Sequence, residues 1–256
     1  MRSSLGIETS RDSTSLTAGS AALTGRQKPL CSLQRPGLRE TTMKKAHESE
    51  GAGVIRRHQS TLVAEIAIAF PATIALWLGV YYFLPPLGGM EEPLARLVFA
   101  LKCCCIAILL CFLTGIEAVA HERLRSPAID PLSGYETRRM TINLRYLQNT
   151  LEQLVLFVPG LLALAFYCNN GHSMRAVVAS TVVWIATRFA FWIGYHYGSQ
   201  HRAIGAPGMM QSMLVLLYVC ARIGYEIAGP AGAIAPLIIF GCLEAVLVRA
   251  TKPLDA

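Results

Sequence analysis

The sequence predicts an all-α fold, a polytopic membrane helical bundle. Three observations lead there. Of the 256 residues, 53% are hydrophobic and 15% charged, against about 25% charged in a soluble domain. The apolar residues gather into six long runs, each near the ~20 residues a helix needs to cross the hydrocarbon of a bilayer. The basic residues sit mostly in the tail and between the runs, where a membrane protein keeps them.

Residues 1–60 are polar, rich in Ser, Thr, Gly and Arg, without a sustained apolar period. They read as a disordered cytoplasmic tail. Two readings stay open for 1–42: an Arg/Ser-biased leader resembling a transit peptide, or an over-extended gene start ahead of Met43, which opens MKKAHESEGAGVIRRHQS. The first span is expected at about Leu62–Leu84, stopped by Pro85 and Pro86. With its loop it forms an extra segment, 61–94. The second span is expected at about Leu94–Ala120 and the third at Thr141–Tyr167, with Pro159 inside. The turn Cys168–His172 leads to a fourth at Met174–Tyr197. A fifth at Gly208–Ile227 is broken at Gly229-Pro230 from a sixth at Ala231–Val248. Residues 95–227 thus hold four spans, and 228–256 an extra last helix and a short tail.

Charge orients these spans. Lys44, Lys45, Arg56 and Arg57 precede the first, and Arg123, Arg125, Arg138 and Arg139 lie between the second and third. Arg202 lies between the fourth and fifth, and Arg249 and Lys252 follow the sixth. All fall on one side of a six-span chain, so both termini are expected in the cytoplasm. The same placement argues against a nucleic-acid partner, despite a net charge of +7. Eight cysteines scatter through apolar runs without paired C-x-x-C spacing, so they read as packing residues. His196 and His201 lie five apart without a third ligand, and no metal is expected.

The chemistry-bearing signal opens the third span. Arg145, Asn149 and Glu152 are spaced four and three apart, on one side of a helix. Ionisable groups inside a span are costly and mark functional sites. Such a set can grip a zwitterionic ligand or a neighbouring helix. Arg188, on the fourth span, reads as structural, pairing with Glu152 or with a carbonyl. At the end of that span stand Trp192 and Tyr195, and Arg202 follows in the loop. By topology both groups lie at the cytoplasmic ends of their spans.

At these residues the chain resembles the MAPEG family, the membrane-associated proteins in eicosanoid and glutathione metabolism. Arg145, Asn149 and Glu152 match its Arg-x-x-x-Asn-x-x-Glu pattern. Tyr195 and Arg202 match its Tyr with an Arg seven residues later. The resemblance covers about 95–227. It implies a four-helix unit, here with one extra helix at each end, assembled as a homotrimer among membrane lipids. It also implies glutathione, as substrate or co-substrate, bound between subunits. Arg145, Asn149, Glu152 and Tyr195 would bind it, and Arg202 would be the catalytic cation beside its thiol. The activity implied is a glutathione transferase or peroxidase acting on hydrophobic electrophiles or lipid hydroperoxides. Gln153 and Phe191 stand where the leukotriene-forming member has tyrosines. The segment VYYFLPPLGGMEEPLARLVFALKCC resembles mattrin, a transmembrane protein with a MAPEG-like region, and implies a non-catalytic membrane-organising or binding role instead. A transporter is a third class, disfavoured because the charges form no ladder through the bundle.

Overall fold

The computed structural model describes residues 36–132 and 134–251, with side-chain surroundings from residue 59 onward. The chain divides into two units, Met1–Ser49 and Glu50–Ala256. Of the first, only the helix backbone from Pro36 is described.

Every regular element among the described residues is helical. Helix α1 covers Pro36–Phe83. It starts well before the apolar run, where the sequence reading placed a disordered tail through residue 60. The segment RETTMKKAHESE holds strong helix formers and no proline, so the polar turns can propagate from the span behind them. The expectations for 1–35 lie outside the described residues.

Helices α2 (Pro93–Ala107) and α3 (Thr114–Leu124) form one span, joined through a π-helical stretch at Ile108–Leu113. Pro93 at the first helical position suits a terminus whose N–H would be unpaired anyway. Thr114 Oγ1 donates to the Leu110 carbonyl at 2.6 Å, and Tyr146 Oη donates to the Cys111 carbonyl at 3.0 Å. Side chains thus occupy carbonyls at the widened turns.

Helix α4 spans Arg138–Tyr167. Its N-cap is Thr137, whose Oγ1 accepts from the Met140 N–H at 3.0 Å and donates to Glu122 at 3.1 Å. Glu122 also pairs with Arg139 at 3.2 Å, tying the end of α3 to the start of α4. Helix α5 covers Arg175–Tyr197 after a tight turn in which Asn170 and Ser173 bond each other. A short 3₁₀ turn, His201–Gly205, leads into α6, Ala206–Ala250.

Five helices are long and apolar enough to cross a membrane, the last running from His201 to Ala250. Six were expected. The last is a double-length element interrupted at Ala228 and Gly229, where the backbone leaves helical geometry and Gly229 takes φ +60°. The backbones of Gly224 and Gly232 touch so closely that a Cβ on either would overlap the other's carbonyl. In a straight helix those positions lie about 12 Å apart. The chain therefore turns sharply there, at the predicted Gly229-Pro230 break, and each arm is long enough to cross the bilayer.

The core belongs to α2 through α5. Ala100, Cys104, Ala107 and Cys111 line one side of the second span and pack against Leu161, Ala165 and Val177. Phe157 of α4 and Trp184 of α5 stack with centroids 4.6 Å apart. Four of the buried positions in this cluster are cysteines with free thiols: Cys103, Cys104, Cys111 and Cys168.

Candidate functional site

Three side-chain bonds set the start of α4 against the end of α5. Arg138 donates to the His196 carbonyl at 3.3 Å, Trp192 Nε1 to Asn143 Oδ1 at 3.0 Å, and Arg188 Nη1 to Asn149 Oδ1 at 2.7 Å. As one helix number rises the other falls, which is antiparallel packing. Tyr146 adds stacking on Trp192, with centroids 4.7 Å apart. The two polar groups found separately in the sequence thus lie at one end of the bundle.

Within that end, the predicted residues divide. Arg145 and Glu152 are exposed and do not touch each other. Gln148 links them, accepting from Arg145 at 3.4 Å and donating to Glu152 at 3.2 Å. Its role was legible: it sits three residues after one and four before the other. Asn149 is half-buried and turned towards α5, held by Arg188. Arg188 is 1% exposed, and its second terminal nitrogen donates to the Gly205 carbonyl at 3.1 Å. Of the two pairings expected for it, the one with a carbonyl forms and the one with Glu152 does not; the Asn149 amide is its other partner.

Tyr195 and Arg202 do meet. The Arg202 guanidinium lies over the Tyr195 ring, 6.0 Å from its centroid. Phe191 connects this pair inward, 5.7 Å from Tyr195 by ring centroids and 5.2 Å from the Arg188 guanidinium. The 3₁₀ turn carrying Arg202 is pressed against α5. A Cβ on Gly205 would overlap Phe191, and one on Gly194 would overlap the His201 carbonyl. His201 pairs with Glu65 of α1, so the loop is also held from the other side. Among the described residues, no hydrogen bond or ion pair joins Arg145 or Glu152 to Tyr195 or Arg202 within one chain. The stripe Arg145–Gln148–Glu152 is exposed on the surface of α4, a helix long and apolar enough to cross a membrane.

The family model for MAPEG matches residues 97–227, just over half of the chain. The chain belongs to the MAPEG family. The match begins in α2 and ends at the break in α6, so it takes in both polar groups and leaves α1 and the last arm of α6 outside. This MAPEG chain is also similar to an uncharacterized protein of Synechocystis sp., 35% identical over 108 residues, which are 41% of this chain and 74% of that protein. No solved structure matches it significantly. It is an integral, multi-pass membrane protein of that family.

Proposed function

We propose that this protein binds glutathione at the α4–α5 end of the bundle and uses its thiolate against a hydrophobic electrophile or a lipid hydroperoxide. The observation that supports this most is the outward stripe of Arg145, Gln148 and Glu152 beside the Tyr195–Arg202 pair. Glutathione carries two carboxylates, an ammonium and a thiol. A guanidinium and a carboxylate on one stripe suit its charged groups, and Arg202 supplies a further cation for its sulfur. Because the stripe faces outward, the site would be completed by a second copy, in keeping with a homotrimer.

A thiol of this kind has a pKa of about 8.5, and an adjacent guanidinium lowers it, which raises the thiolate fraction at neutral pH. The thiol proton leaves to solvent. In conjugation the sulfur lone pair forms the new S–C bond, and the electron pair displaced on the electrophile is protonated or leaves. In peroxide reduction the sulfur takes the terminal hydroperoxide oxygen and the lipid alcohol departs. A second glutathione then forms the disulfide and releases water. Positioning and thiolate activation are the protein's contributions.

One observation favours a second, non-catalytic reading. The Arg188–Asn149–Gly205 cluster engages Asn149, one of the expected ligand groups, inside the chain itself. The polar face would then serve to pack subunits in a mattrin-like organising protein. Calorimetry in lipid nanodiscs, with ultraviolet detection of the glutathione thiolate, separates the two. Binding with thiolate formation is expected. Absence of binding in wild type leaves only the packing role, and binding without thiolate leaves a non-catalytic glutathione protein.

A further inference from the structure

Helix α1 lies outside the residues that the family model matches and meets the bundle at a few polar points. It reaches the rest of the protein through side chains. Glu65 pairs with His201 towards one end. Trp77 Nε1 donates to Ser180 Oγ at 3.2 Å. Towards the other end, Arg175 donates to the Leu84 carbonyl at 3.2 Å and lies 4.9 Å from the centre of the Tyr81 ring.

The gap behind these struts is a cavity of about 540 Å³. Its long walls are Phe70–Tyr81 on α1 and Pro207–Tyr218 on α6, with the adjoining ends of α4 and α5 between them. Each wall covers eleven residue steps, a length of about 16 Å. Most of the lining is aliphatic or aromatic, as at Ile74, Leu78, Met210 and Leu214. Midway, Gln211 turns its amide to the Ser180 carbonyl at 2.8 Å. Its buried Oε1 has no partner.

One end differs. Tyr81, Tyr167 and Tyr218 gather there, with Arg175 over the first and Arg222 5.3 Å from the centre of the second. Glu226 is the acidic group nearby, and it accepts the Tyr167 hydroxyl at 3.2 Å. Tyrosines with cations are the usual furniture of a bilayer interface. This end lies at the start of α5, whereas Tyr195 and Arg202 lie at and beyond its finish.

We propose that this slot holds one acyl chain of an anionic phospholipid, with the phosphate at the end marked by Arg175 and Arg222. A dry void of this size would forfeit dispersion contacts along both walls, and water would find few polar partners in it. The slot is long, narrow and flanked by membrane spans, so its natural occupant comes from the bilayer. The two guanidiniums at its polar end favour a negative head over a zwitterionic one. The lipid would act as a packing layer between α1 and α6 along this slot.

Native mass spectrometry from nanodiscs made of equal palmitoyl-oleoyl phosphatidylglycerol and phosphatidylcholine tests this. Wild type should retain one phosphatidylglycerol per chain under activation that strips bulk lipid. Leu214→Trp, which fills the slot, should lose it while unfolding thermally as wild type does. Thr73→Trp, from the opposite wall, decides the matter if Leu214→Trp does not fold. Arg222→Gln should retain lipid with its preference for phosphatidylglycerol lost. Absence of retained lipid in wild type, or its retention in a folded slot-filled variant, overturns the site. Equal retention of the two lipids by wild type, or an unchanged preference in Arg222→Gln, overturns the assignment of the head group.

Discussion

Arg188 and Arg202 flank the same two aromatic rings, Phe191 and Tyr195, and burial separates their roles. Arg188 is enclosed and already bonded to Asn149 and Gly205, so its charge is committed to holding α4, α5 and the 3₁₀ turn together. Replacing it with Met should cost about 1–2 kcal/mol, the range for interhelical hydrogen bonds in membranes. A lower unfolding temperature in detergent is the readout, and Arg188→Lys should recover only part of it because Lys lacks the two-pronged geometry. Arg202 is exposed and lies over the Tyr195 ring, and among the described residues its side chain makes no hydrogen bond or ion pair. Under the glutathione reading, Arg202→Ala raises the pKa of the bound thiol. It should lower turnover at neutral pH about tenfold, since one neighbouring charge moves a pKa by about 1 or more. The thiolate fraction falls when the cation is lost and returns as pH rises, so raising the pH should rescue the variant. Affinity for glutathione should change less than turnover. Full activity in Arg202→Ala would remove Arg202 from the chemistry while leaving the site in place.

Among the elements, α6 carries the clearest backbone constraints. Gly229 sits at φ +60° with ψ −146°, a conformation that glycine alone takes without strain. Gly229→Ala should destabilise by about 1–3 kcal/mol. Gly241, with no neighbouring atom within 4 Å of a Cβ, is the control, and Ala there should be neutral or slightly stabilising. At the other end of α6, a Cβ on Gly208 would overlap Thr187 Oγ1, the hydroxyl that donates to the Val183 carbonyl at 2.9 Å. Gly208→Val should push α6 from α5 and cost about 1–3 kcal/mol by overpacking. Thermal unfolding of the three variants in one detergent ranks them. An unchanged Gly208→Val would mean that α6 can shift at no cost.

For the whole molecule, the outward stripe of Arg145, Gln148 and Glu152 calls for cover, and the family resemblance implies a trimer. Native mass spectrometry in detergent should therefore give three chains per particle. Monomers alone would remove the subunit-interface site. Topology is checked separately. In a background without Cys31 and without the exposed Cys105, Cys220 and Cys242, a cysteine placed at exposed Leu132, between α3 and α4, should label from the cytoplasmic side. Labelling from the opposite side would invert the orientation read from charge.

The sequence by itself determined the spans, the break in the last of them and the end of the bundle where polar groups collect. Length, apolarity and charge act locally along the chain, and a bilayer leaves backbone few alternatives to helix. The Tyr195–Arg202 spacing stood out only through the family resemblance, and it is the structure that lays the Arg202 guanidinium over the Tyr195 ring. Only the tertiary structure decided that Asn149 turns to Arg188 while Arg145 and Glu152 face outward. Helical spacing sets a direction to within tens of degrees, and such an angle decides whether a side chain meets α5 or the surface. The cavity between α1 and α6 was equally hidden. Its apolar residues read the same whether they touch another helix or lipid, since hydrocarbon tails and side chains are alike in polarity.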